Sequence, residues 1–102
     1  FSAKGLRVFR IGSTQTTQAS EWFDQDDHEL VFLLEGEAVL EFHFGGVDNT
    51  KQLDMVRGTY VYIPKHQKHR IVRTSSSDEN PCVWLAMHHD GSVGQVERLG
   101  VE

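Results

Sequence analysis

Two short stretches hold most of the side chains that could do chemistry. The first, "FDQDDHE" at 23–29, sets an amide, three aspartates, a histidine and a glutamate in front of an apolar run; the second is "PKHQKH" at 64–69. Divalent transition ions take imidazole, carboxylate and amide oxygens, with at least three converging and a position left open for water or substrate. On a two-residue period, Gln25, Asp27 and Glu29 project from one side of an extended segment. If that side faces the inside of a barrel, three oxygen-bearing groups look across the lumen at His69, and a metal centre follows. The alternative is a solvated "DQDD" loop, with Glu29 paired to Arg70 or Arg73 near the mouth.

The other histidines divide by parity. His28 alternates against Glu29, so a regular strand turns it outward, and a β-bulge would turn it in. His69 shares parity with Ile71, which favours the interior. Pro64 ends a strand, so His66 falls in the following turn, at the rim, where an imidazole near a metal could move protons. His28 and His66 are therefore the candidates for a catalytic supporting role. His88 and His89 are adjacent in "CVWLAMHH", so at most one enters the lumen, and His43 reads as an exposed strand residue. "DQDDHE" lacks the sixth-position glycine and flanking helices of a calcium-binding EF-hand. No Ser-His-Asp order, phosphate-cradling glycine loop or CxxC pair supports nucleophilic catalysis, nucleotide binding or structural zinc.

Positioning these residues falls to strands. Short segments rich in Val, Ile, Leu, Phe and Tyr lie near 6–11, 16–22, 28–35, 37–43, 51–54, 60–63, 68–73 and 82–88, with one more at 95–99. Polar turns such as "GSTQTT", "GGVDNT" and "TSSSDENP" separate them, and no window carries a 3.6-residue apolar period. The pattern predicts an all-β sandwich or barrel. On 28–35 one face carries Glu29, Val31, Leu33 and Glu35, and the other carries His28, Leu30, Phe32 and Leu34. Both faces are apolar in the middle, so the outer one needs cover, either from a second subunit or from the N-terminal strand of the same chain.

The chain has 102 residues, enough for one domain over 1–102 with one core. A net charge of −5 and few, scattered basic residues exclude nucleic acid as a partner. No apolar run approaches the about 20 residues that span a bilayer. The segment "FSAKGLRVFR" has no charged-then-apolar leader pattern, and the expected location is cytoplasmic. A single cysteine, Cys82 in "CVWLAM", reads as a buried small hydrophobe.

The two quoted stretches resemble the paired motifs of the cupin family, the small jelly-roll barrels. Glu29 and Gly36 keep the first motif's spacing around "LLEGEA", and Gly58, Pro64 and His69 keep the second's, with His66 where the family has glycine. "WFDQ", "YIPKHQKHRIV" and "WLAMHH" extend the likeness to small single-domain bacterial cupins. The resemblance implies a single-domain jelly-roll barrel with one divalent metal (Zn, Fe, Mn or Ni) inside it and a small organic molecule as ligand or substrate. In the family, two histidines and the glutamate of the first motif hold the metal with the second-motif histidine. Carried over, Glu29 and His69 survive and Gln25 is the best stand-in. The first-motif histidines are replaced by Phe23 and Gln25 in one register, or by Trp22 and Asp24 in the other. The implied reading is a metal-binding cupin, oxygenase- or isomerase-like if it is an enzyme; the two-sided apolar strand at 28–34 adds the expectation of a homodimer. The alternative is a metal-free ligand-binding, sensing or assembly module.

Overall fold

A computed structural model describes residues 2–3, 5–13, 19–75 and 80–91. Eight strands follow one another: β1 (Ser2–Ala3), β2 (Leu6–Ser13), β3 (His28–Glu35), β4 (Glu37–His43), β5 (Thr50–Val56), β6 (Tyr60–Ile63), β7 (Lys68–Thr74) and β8 (Cys82–His89). They form two antiparallel sheets, ordered β1-β2-β8-β3-β6 and β5-β4-β7. The non-sequential order is that of a jelly roll, and none of the described residues is helical. No helix is long and apolar enough to cross a membrane among them.

Alternation along β3 decides what lies between the sheets. Glu29, Val31 and Leu33 are buried, while His28, Leu30 and Phe32 are half-buried on the other side. Strand β8 opposes it in register, Val31 to Ala86 and Leu33 to Trp84. Leu40 and Met55 of the second sheet close the core against them, with Ile63 and Cys82. Burying side chains of this size contributes roughly 1.5–3 kcal/mol each. The chain changes sheets between β3 and β4 through one residue, Gly36, at φ +95°. A Cβ there would lie 2.5 Å from the Cys82 sulfur. Both the left-handed backbone and the close approach require glycine.

The outer face of the larger sheet is the apolar surface expected from β3. Leu30 aligns with Tyr62 and Met87, and Phe32 with Tyr60 and Leu85. Tyr60 and Tyr62 are 65% and 49% exposed. The N-terminal strand gives no cover to this face: β2 pairs with β8 along the edge of the same sheet. A strand that satisfies its ladder in the plane is not available to lie across it.

Residues 19–22 form no strand, contrary to the expectation for 16–22; 14–18 and the expected strand at 95–99 fall outside the described residues. The segment still follows β7. Ser20 N–H donates to the Ile71 carbonyl at 2.8 Å, and the Ser20 hydroxyl accepts from Ile71 N–H at 3.0 Å. A side-chain oxygen occupies a position that a carbonyl would fill in a ladder, which interrupts regular pairing. Pairing resumes at Phe23, whose N–H and carbonyl both bond His69.

Candidate functional site

Glu29 lies near the start of β3 and His69 near the start of β7, so the two sheets bring them together at one end of the barrel. Both are buried, at 8% and 6% exposure. The Glu29 carboxylate is placed between two imidazoles: Oε1 is 3.8 Å from His69 Nε2, and Oε2 is 3.4 Å from His88 Nε2. His69 Nδ1 lies 2.8 Å from the Gln67 carbonyl oxygen. A carbonyl only accepts, so Nδ1 carries a proton and donates it. The Nε2 of a neutral His69 therefore presents a lone pair toward Glu29. Two facing acceptors need a proton or a cation between them, because a buried carboxylate without compensation is costly.

Gln25 completes this end. Its side-chain oxygen Oε1 is buried and has no hydrogen-bond partner, and the residue lines the same chamber as Glu29 and His69. A buried acceptor without a donor costs on the order of 1–3 kcal/mol. Such a group calls for a ligand, water or ion. The backbone around it is held from two sides. His66 N–H donates to the Gln25 carbonyl at 2.8 Å, and the Phe23–His69 bridge fixes the chain two residues earlier. The His66 ring joins the rim as well, with Nδ1 2.8 Å from Asp24 and Nε2 3.2 Å from Asp26. His66 adopts φ +64°, the left-handed region, at the position where the family pattern has glycine.

The register left open in the sequence is Phe23 and Gln25 inward. Both line the chamber, while Trp22 lies outside with its ring 4.3 Å from the Arg70 guanidinium. Arg70 is in turn bonded to Glu41, at 2.6 Å and 2.7 Å. Arg70 therefore does not pair with Glu29: Glu41 is its cross-strand neighbour on the outer face of the smaller sheet. Asp27 is separated from Gln25 and Glu29, because it forms an ion pair with Arg7 beside a different recess. His28 faces outward, as its parity dictates. Its Nδ1 is 3.1 Å from Lys65 N–H and 3.0 Å from the Tyr62 hydroxyl, and its ring stacks on His89. His88 is the residue that sequence reasoning left unassigned. Its register opposite Glu29 on β8 puts it on the same inward face, against the far oxygen of the carboxylate, although it does not line the chamber. The signal was present only as parity within "MHH", which limits one of two histidines to the interior without saying which.

The chamber holds about 220 Å³. Ile11, Phe23, Val31, Ile63, Ile71 and Trp84 form most of its wall, with Leu40 and Ala86. Gln25, Glu29 and His69 are its polar residues. Among the described residues no group of three or more His, Cys, Asp and Glu side chains is arranged to hold a metal ion. The chamber's own set has two such residues and an amide, so a glutamine oxygen must take the third place.

No protein-family model and no curated protein matches the chain. Solved structures do. A protein from Ralstonia eutropha JMP134, provisionally named a mannose-6-phosphate isomerase, is 33% identical with a TM-score of 0.71; the match covers 88% of this chain and 79% of that one. The Fe(II) enzyme HppE is 15% identical with a TM-score of 0.64, over 82% of this chain and 42% of its own. Oxalate decarboxylase from Bacillus subtilis, a protein with Mn(II) centres, is 17% identical with a TM-score of 0.63, over 86% of this chain and 22% of its own. The last two, both cupin-fold proteins, share the fold alone. With the jelly-roll topology, the spacing of Glu29, Gly36, Gly58, Pro64 and His69, and the Ralstonia relative, the chain belongs to the cupin family.

Proposed function

We propose that the chamber binds a divalent transition metal through Gln25, Glu29 and His69, and binds or acts on a small organic molecule beside it. The observation that carries this reading is the set of acceptors gathered at the polar end: an orphaned amide oxygen, a buried carboxylate and an imidazole whose Nδ1 already donates to Gln67. A cation satisfies all three at once. The donor-to-backbone bond of His69 is the usual outer contact that fixes a metal-ligating histidine in the correct tautomer. His88, on the far oxygen of Glu29, is a positioning residue that orients the carboxylate. One imidazole with two oxygens is a set better suited to Mn(II) or Fe(II) than to Zn(II).

When bound, the ion would supply Lewis-acid polarisation or activation of dioxygen. The chain itself contributes an apolar wall that excludes water, a carboxylate able to hold a proton, and a rim histidine, His66, whose ring sits between Asp24 and Asp26. Elemental analysis by mass spectrometry on protein purified without chelator tests the reading. Near-stoichiometric transition metal is expected, with loss in a Glu29→Ala, His69→Ala double variant. Equal metal content in both proteins would sink it.

A second reading has its own support. Phe23 occupies an inward position that a histidine fills in metal-binding relatives of this family, so a metal-free binding or sensing module is the alternative. We also propose that a second copy of the chain covers the outer face of the larger sheet. Leu30, Phe32, Leu85 and Met87 form a continuous apolar strip there, flanked by the exposed Tyr60 and Tyr62, and a self-complementary patch of this kind suits a two-fold pair.

A further inference from the structure

We infer that the ligand of this chamber is a small molecule with a compact apolar body and one O–H- or N–H-bearing end, and that phosphorylated sugars are excluded. The inference rests on the metal-free binding reading above and names the class of ligand that the chamber takes in that state.

Three observations carry it. First, eight of the eleven chamber residues are apolar. A hexose, with a hydroxyl on nearly every carbon, would leave most of its hydroxyls unpaired against Ile11, Val31, Ile63, Ile71 and Trp84. Each unpaired group costs on the order of 1–3 kcal/mol. Second, no lysine or arginine among the described residues lines the chamber. Arg7 and Arg70 are engaged elsewhere, Arg7 with Asp27 and Arg70 with Glu41 under Trp22. In the metal-free chamber a phosphate dianion would meet the Glu29 carboxylate with no guanidinium or ammonium among the described lining residues to receive it, and the Asp24 and Asp26 carboxylates stand at the rim. Third, the polar end has acceptors to offer: Gln25 Oε1 without a donor, Glu29, and His69 Nε2. A ligand that donates a hydrogen bond there satisfies an atom that is otherwise orphaned. About 220 Å³ corresponds to roughly seven waters at about 30 Å³ each, which sets the size of the body.

The test is a titration of ¹⁵N-labelled protein with cyclohexanol, cyclohexylamine and a hexose 6-phosphate, read at the backbone amides of Val31, Ile71 and Ala86. A Trp22→Phe variant, with Trp84 as the remaining tryptophan, gives an independent fluorescence reading. Saturable shifts at these amides and a change in Trp84 emission are expected with cyclohexanol and cyclohexylamine, and neither with the sugar phosphate. Saturable binding of the sugar phosphate at the chamber amides overturns the inference. So does the absence of any saturable shift with both cyclohexyl compounds. Running each titration with EDTA and with added Mn(II) keeps the two readings apart. Cyclohexyl binding with no uptake of Mn(II) defeats the metal reading and leaves the ligand class standing, whereas Mn(II) uptake without cyclohexyl binding does the reverse.

Discussion

The same two strands, β3 and β8, build both ends of the barrel and do opposite things at each. At the corner end, Leu33 and Cys82 are fully buried with Met55, and Gly36 turns the chain within 2.5 Å (measured from a would-be Cβ) of the cysteine sulfur. At the chamber end, four residues earlier on β3 and six later on β8, Glu29 and His88 face one another at 3.4 Å. The corner end is where burial stabilises the fold. The chamber end collects a buried carboxylate and an unpartnered amide, arrangements that cost stability and persist where they serve binding. One end should therefore respond to mutation in stability, and the other in binding.

The largest effect is expected at the corner. Leu33→Ala removes a fully buried side chain and should lower unfolding free energy by about 2–5 kcal/mol in urea titration. Metal and ligand affinities of the remaining folded protein should stay close to wild type, and a loss of both would erase the distinction between the ends. Gly36→Ala comes next. The left-handed backbone alone costs of order 1–3 kcal/mol, and the Cβ–sulfur approach adds to it. A companion Cys82→Ala change should recover part of the loss, which a double-mutant cycle would measure.

At the chamber end the sign is expected to invert. Gln25→Leu replaces an orphaned amide with an apolar group of similar volume and should leave metal-free stability equal or raise it by about 1 kcal/mol, while weakening metal uptake. A clear destabilisation would mean that Gln25 supports the fold. The smallest effect belongs to the exposed surface. Glu35→Gln breaks a 3.9 Å contact with Arg57 and should change stability by less than about 0.5 kcal/mol. Separately, light scattering should give about twice the 11.6 kDa chain mass if the outer sheet face is paired; a monomer at high concentration would leave that face uncovered.

How much of this could be read from the residues depends on which interactions were local. Strand β3 was legible to the residue, and so was the inward side of Glu29, Val31 and Leu33, because period-two alternation is a local property. His69 and Ile71 shared a face for the same reason. The N-terminal segment was misread where Ser20's hydroxyl takes over a ladder position, since β-propensity records nothing of that substitution. The partners of Glu29 were illegible: His88 lies 59 residues further along the chain, and only the β3–β8 register puts it there. Arg70 was drawn away by Glu41 and Trp22, two neighbours that only the packing of β4 and residues 19–23 reveals. The register choice between Phe23 and Trp22 was likewise decided by the hydrogen bonds of Phe23 to His69.

The central claim is that the chamber end is built for a cation. The most direct measurement is the unfolding midpoint of wild-type and Glu29→Gln protein across a Mn(II) series. A ligand that binds only the folded state adds about 2.7 kcal/mol at a hundredfold excess over its dissociation constant, and the gain grows with the logarithm of concentration. That rise is expected in wild type, with a flat response in the variant. A flat wild-type response, or the same rise in both proteins, would contradict it.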